Sequence, residues 1–365
     1  MEINIDKKSL LIEVSKVMGA TERKATMPIL SNILLKAEGG LLTVIGTDLE
    51  VTIVSSIACD IKSDGRVSIP AKKFYDYIRE LPDSDIHIRK EDGFIDINVG
   101  KSSGRLKVLQ AEDFPHIEEY KGSYTSLSYE DLIKMIDKTV YATSIDEVKY
   151  SLNGIFVEKI AGSLRCVATD SHRLALYDNG DIDSVEGLTK GVIIPRKGLY
   201  EIKKIGAENV GAGIAVEKNK NFVVKIGNTV IHIRLLDYDF PDYKSVIPKD
   251  TKVNIKVKKE LLMAAVKRAQ SIYQEKISRV VFNIDKDLLV IESNEPDIGE
   301  VKEELDIDYK GDAIKIGFNG RYLIDCLNAV NGELISIGIN NEQSASTFCA
   351  DDDKKHVNLI MPMRM

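Results

Sequence analysis

The sequence predicts an α+β fold, built three times over. Three observations predict it: ordered landmarks that recur at a nearly constant offset, two amphipathic helical stripes per copy, and short alternating segments that read as strands between them. The first landmark is a strand–turn–strand segment closing on a polar turn. It spans residues 31–48, ending Thr47-Asp48, returns over 152–170, ending Thr169-Asp170, and returns more worn over 279–294. The second is a helix start: Ile69-Pro70-Ala71-Lys72, then Ile194-Pro195-Arg196-Lys197, then Gly317-Phe318-Asn319-Gly320. The third is Asp113-Phe114-Pro115, then Asp239-Phe240-Pro241, with Met361-Pro362 last. Asp48 to Asp170 is 122 residues, Pro70 to Pro195 is 125, Pro115 to Pro241 is 126 and Pro241 to Pro362 is 121. Lys121-Gly122-Ser123 and Pro248-Lys249-Asp250 read as linkers, so the copies are 1–122, 123–249 and 250–365.

Each copy carries its helices at matching places. In the first, Leu10, Leu11, Val14, Val17 and Met18 make a stripe over 8–19, and Phe74, Tyr77, Ile78 and Leu81 make one over 71–81. The second copy has Leu132, Ile133, Ile136 and Val140, then Leu199, Ile202 and Ile205. The third has Leu261, Leu262, Ala265 and Val266, then Tyr322, Leu323, Cys326 and Leu327. Segments such as 86–89 and 94–99 alternate as strands do. Two helices packed on antiparallel sheets would bury one face of each.

Charge is distributed unevenly. The 365 residues carry a net charge of −7, which argues against a protein that merely coats nucleic acid. Yet residues 195–205 carry Arg196, Lys197, Lys203 and Lys204 against Glu201 alone, and 258–268 carry four basic residues against Glu260. Hydrophobic content of 44% and charged content of 29% suit a soluble globular chain. Charges interleave the first ten residues, and no run of about 18 apolar residues exists, so neither a signal peptide nor a membrane span is expected. Four scattered cysteines lack metal-ligand spacing, which points to a reduced, cytoplasmic protein without metal or cofactor.

The stretch Thr169-Asp170-Ser171-His172-Arg173 brings Ser, His and Asp together and so raises a hydrolase reading. Adjacency in sequence is not triad geometry, and no glycine-rich nucleophile elbow frames it. No catalytic residue is expected. A repeat-built interaction scaffold with no DNA role is the other alternative.

The motifs Gly46-Thr47-Asp48-Leu49-Glu50, Val167-Ala168-Thr169-Asp170-Ser171-His172-Arg173-Leu174-Ala175, Pro195-Arg196-Lys197-Gly198, Phe240-Pro241-Asp242-Tyr243 and Met361-Pro362-Met363-Arg364 carry a family resemblance. From end to end the chain resembles the beta subunits of bacterial DNA polymerase III, the sliding clamps. The resemblance implies a non-catalytic DNA-clamp fold and a head-to-tail homodimer that closes a ring around double-stranded DNA regardless of sequence. Twelve helices about 10 Å apart around such a ring would enclose a hole of roughly 28 Å. The implied partners are the replicative polymerase, the clamp loader and other proteins carrying a short clamp-binding peptide, with no membrane involved. The implied peptide pocket comprises Leu152, Thr169, His172, Arg173, Leu174, Pro241, Val246, Ile360, Met361, Pro362, Met363, Arg364 and Met365. Arg23, Lys24, Lys149 and Tyr150 match positions that touch DNA in the family, and Arg79, Arg196 and Lys197 are further candidates. Leu106, Val108 and Ile272 are candidate dimer contacts, with internal core as the other reading. Ser171 stands where many members carry Gly, and Ser245 where many carry a basic residue.

Overall fold

The computed structural model describes residues 1–22, 27–146, 148–182, 184–206, 210–273 and 278–364. The three predicted strand–turn–strand segments are antiparallel pairs: Asn32–Glu38 with Leu41–Thr47, Gly154–Ile160 with Ser163–Thr169, and Arg279–Asp285 with Leu288–Glu295. The first pair turns through Gly39 and Gly40, both at positive φ, as a two-residue hairpin turn requires.

Six α-helices occur among the described residues: α1 (Lys7–Val17), α2 (Ala71–Glu80), α3 (Tyr129–Asp137), α4 (Arg196–Lys204), α5 (Lys259–Gln270) and α6 (Gly320–Ala329). Their starts follow from local chemistry. The Asp6 carboxylate accepts the Ser9 N–H at 2.8 Å, and Asn319 Oδ1 accepts the Arg321 N–H at 3.0 Å. Before α3, Ser128 and Asp131 form a reciprocal cap. Four helices end before the last residue of their stripes, among them α2 at Glu80, before Leu81, and α4 at Lys204, before Ile205. The segment after α1 tightens to a 3₁₀ turn at Met18–Ala20. α3 stops at Asp137 and Val140 falls in a separate 3₁₀ turn, because the Thr139 hydroxyl donates back to the Met135 carbonyl at 2.9 Å and competes with the helix ladder.

The chain folds as two compact units that cut across the sequence repeats. The first comprises Met1–Ile133, Val185–Thr189 and Lys197–Leu235; the second comprises Lys134–Ser184, Lys190–Arg196 and Leu236–Met365. Four strands of the middle repeat belong to the first unit. They are Thr125–Ser128, Gly211–Glu217, Asn221–Ile226 and Thr229–Arg234, and they continue into Val51–Ala58, Leu41–Thr47, Asn32–Glu38 and Gly65–Pro70 as one eight-stranded sheet. The joint sets Val230 opposite Val54 and Ile231 opposite Ile53. A five-stranded sheet completes this unit, running Asp60–Ser63, Glu2–Asp6, Asp85–Glu91, Phe94–Val99 and Ser102–Lys107. Leu10, Val14 and Val17 of α1 and Phe74 and Ile78 of α2 are buried in it.

The second unit repeats the plan. Val192–Pro195, Gly154–Ile160, Ser163–Thr169 and Arg173–Asn179 continue into His356–Ile360, Ser346–Ala350, Leu334–Ile339 and Val253–Lys258. Leu174 stands opposite Leu359 at that joint. Continuing a sheet from one repeat into the next leaves no open strand edge at the junction. The four-stranded sheet runs Gly299–Asp306, Leu288–Glu295, Arg279–Asp285 and Ile314–Asn319. Leu262, Ala265 and Val266 of α5 and Leu323 and Leu327 of α6 share one core with Phe282, Phe318 and Phe348. No described helix is long and apolar enough to cross a membrane.

One buried group in this unit makes stability depend on pH. His356 is 1% exposed, with Nε2 against the Lys138 carbonyl at 2.8 Å. Burial first, and the Lys138 ammonium second, push its pKa down to about 4. The unfolded chain takes up that proton near pH 6.5, the folded one only near pH 4, so stability is present above pH 6.5 and is lost as the pH falls. We expect about 2 kcal/mol to be lost between pH 7.5 and 5 through this residue. His356→Gln should remove that share of the fall in the urea midpoint; an identical fall in variant and wild type would reject the assignment.

Candidate functional site

Two strands of the second unit meet at a tight turn, and the turn builds a cavity. Asp170 Oδ1 accepts the backbone N–H of His172 at 2.9 Å and of Arg173 at 3.0 Å. Thr169 Oγ1 accepts the Ser171 N–H at 3.1 Å and donates to the Arg173 carbonyl at 2.6 Å. Ser171 takes φ +82°, a conformation that costs an L-residue about 1 kcal/mol and that the surrounding bonds enforce. The first repeat makes the same turn. Asp48 Oδ1 accepts from Glu50 and Val51, Thr47 Oγ1 accepts from Leu49, and Leu49 takes φ +74°. The two turns share a backbone and differ in what surrounds them.

Around the second turn lies an apolar cavity of about 220 Å³. Seven of the residues singled out from the sequence line it: Leu152, Thr169, Arg173, Leu174, Pro241, Val246 and Met361. Ser171 lines it as well, within the turn that the resemblance implied for the pocket, and Asp242, Tyr243, Ala345 and Leu359, which also line it, were missed by sequence reasoning. Ile360, expected here, instead packs in the core around α5 and α6 at 1% exposure. Successive strand residues face opposite sides, so Leu359 takes the cavity and Ile360 the core. The alternation in His356–Ile360 was the available signal. His172, Pro362, Met363 and Arg364 are not among the lining residues; Met365 lies outside the described residues. The tail is nevertheless fixed, because the Met361 N–H donates to the His172 carbonyl and the Met363 N–H to the Gly317 carbonyl, both at 2.8 Å.

Tyr243, another lining residue, is held by half-buried polar groups. The Tyr243 hydroxyl donates to Glu158 and accepts from Arg165, which is itself doubly bonded to Asp178 at 2.7 Å. Burial, then the bond to Glu158, push that hydroxyl up to about 12, so it remains a donor at neutral pH. Phe156 stacks on Phe240 at 4.8 Å behind it.

The Ser, His and Asp of this turn do not form a triad. The Asp170 carboxylate is occupied by backbone N–H groups and by Arg173 Nε at 2.9 Å, and Ser171 and His172 are exposed. Among the described residues no group of three or more His, Cys, Asp or Glu is placed to hold a metal.

The described candidate DNA contacts fall in both units. Arg23 and Lys24 lie outside the described residues. The half-exposed Arg79 pairs with Glu80 at 3.0 Å. The Lys197 ammonium sits 2.6 Å from the buried Asp48 carboxylate and 3.3 Å from Glu50, so it neutralises the first repeat's turn. Arg196 is half-buried, and its N–H donates to the Asn153 carbonyl at 2.9 Å. Lys149 donates to the Asp170 carbonyl at 3.2 Å, beside the cavity, and the exposed Tyr150 stacks on Tyr238 at 5.5 Å. Of the candidate dimer contacts, Leu106 and Ile272 are half-buried, and Val108 is 7% exposed.

Three family models match the chain in order: the N-terminal domain of the DNA polymerase III beta subunit over residues 1–118, its central domain over 126–242 and its C-terminal domain over 244–364. A beta sliding clamp of Pseudomonas aeruginosa is 34% identical and that of Escherichia coli 31%, each with both chains fully covered. The fold matches a DnaN sliding clamp from Bartonella birtlesii bound to griselimycin at a TM-score of 0.95 and 30% identity, again over the whole of both chains. The DNA polymerase III subunit beta of Pseudomonas aeruginosa matches at 0.94 and 32%. Repeats, sheets, turn and tail thus agree along the full length: the chain belongs to the DNA polymerase III beta subunit family, the sliding clamps.

Proposed function

We propose that two copies of the protein close head to tail around duplex DNA and tether the replicative polymerase, the clamp loader and other proteins by short peptides that enter the apolar cavity. The observation that carries this reading is the cavity itself, walled by Leu174, Pro241, Val246 and Met361 in a chain matched end to end by sliding clamps. Apolar pockets with a few placed polar groups take short hydrophobic peptide anchors, and a flexible methionine at the wall suits partners of differing shape. Phosphate attraction carries no sequence information, so a ring would hold DNA by linkage and slide. An acidic chain of net charge −7 would discourage binding by its outer surface. The ring catalyses nothing in this reading, since the bonds that occupy Asp170 leave no carboxylate to orient the His172 imidazole as a base for Ser171. It works in the cytoplasm, where the bacterial chromosome is copied.

The test uses topology. The protein is loaded by its loader onto nicked circular DNA, and its residence is followed after a restriction enzyme opens the circle. Linearisation is expected to shorten residence at least tenfold. Equal residence on circles and open fragments would reject the ring and favour the plain scaffold.

A further inference from the structure

Arg173 occupies a place that its role as a wall residue does not require. Its guanidinium lies between two aromatic faces, 4.4 Å from the centre of the Tyr322 ring and 5.5 Å from that of Tyr141. Nε donates to Asp170 at 2.9 Å, and Nη1 donates to Asp325 at 2.7 Å. The Tyr141 hydroxyl is fixed in turn by Asn358 at 2.5 Å. Tyr322 and Asp325 are one turn apart on α6, so one helix face supplies both a ring and a carboxylate. The Arg173 side chain is 11% exposed, and that of Asp325 29%. A planar guanidinium gripped by two carboxylates and two rings has one orientation available.

We propose that Asp325 is a positioning residue for the peptide cavity, acting through Arg173 to fix the Thr169–Arg173 turn. The Asp325 carboxylate is not among the groups lining the cavity. It sets the place of a residue that is. The Arg173 charge is spent on Asp170 and Asp325, so Arg173 itself offers the cavity no free cation. The apolar walls at Leu174, Pro241, Val246 and Met361 suit neutral apolar anchors. The inference rests on the cavity being the peptide site.

The experiment is a double-mutant cycle on the full-length protein. The probe is a fluorescein-labelled nonapeptide with adjacent leucine and phenylalanine among polar residues, read by anisotropy. Asp325→Asn keeps the side-chain volume and removes the charge. It should weaken binding five- to tenfold in the wild-type background and less than twofold in an Arg173→Gln background. A purely structural role would give equal losses in both. The second readout is the Arg173 Nε–H resonance in ¹⁵N-labelled protein, expected sharp and slowly exchanging in the wild type and broadened in Asp325→Asn. Wild-type affinity in Asp325→Asn, equal losses in both backgrounds, or an unchanged Nε–H resonance would overturn the proposal. A wild type that does not bind the peptide would instead overturn the pocket reading, which the resonance does not depend on.

Discussion

Truncation after Ile360 is expected to weaken peptide binding severely while leaving the fold intact. Ile360 closes the strand His356–Ile360, pairs with both Arg173 and Ser346, and is buried in the core. Everything the core needs is in place before Met361. Beyond it, Met361 forms one wall of the cavity at 38% exposure, held by its bond to the His172 carbonyl, and Met363 is held by the Gly317 carbonyl. Removing the tail opens the cavity to solvent on that side and frees the His172 carbonyl. Full burial of a side chain such as Met is worth about 1.5–3 kcal/mol, and the lost order of the wall adds to it. Affinity should therefore fall at least about 100-fold, or roughly 2.7 kcal/mol. Anisotropy with the labelled peptide measures this, and the urea midpoint of the truncated chain serves as control. Binding within threefold of the full-length protein, at an unchanged midpoint, would show that the tail is not part of the site.

The repeats, hairpins and helices were legible in the sequence because they are local. A two-residue glycine turn at Gly39 and Gly40, or a stripe such as Leu262, Ala265 and Val266, is written within one window of the chain. The continuation of Arg173–Asn179 into His356–Ile360 is not local. Those strands are nearly two hundred residues apart, and neither carries a signal naming its neighbour. The same limit explains the cavity. Its turn and its proline loop carry distinctive motifs, whereas Ala345 and Leu359 enter only because that distant strand pairs there. Charge was the least legible feature. Lys197 reads as a solvent-facing cation on a basic helix, yet it faces Asp48, whose side chain is 1% exposed. A count of charges along one helix cannot see a carboxylate brought up by another strand.

Reversing the charge of one sheet edge should split the dimer, and reversing the other edge on a second chain should restore it. Ser102–Lys107 and Gly299–Asp306 each end a sheet. An unpaired edge offers its backbone groups to another chain, and pairing two different edges head to tail between two copies can close a ring. Their charges complement each other. Arg105 and Lys107 are exposed on the first, while Glu300, Glu304 and Asp306 are exposed on the second with Lys302 alone against them. Arg105→Glu with Lys107→Glu makes both edges acidic, and like charges set together cost several kcal/mol. Light scattering at micromolar concentration should then fall from twice 40.6 kDa to 40.6 kDa. Glu300→Lys with Glu304→Lys makes both edges basic and should do the same. Mixed, the two variants offer an acidic edge to a basic one at both junctions, so an obligate heterodimer should form and load on circular DNA where neither variant loads alone. Two variants that each remain dimeric, or a mixture that stays monomeric, would place the dimer contact elsewhere on the chain.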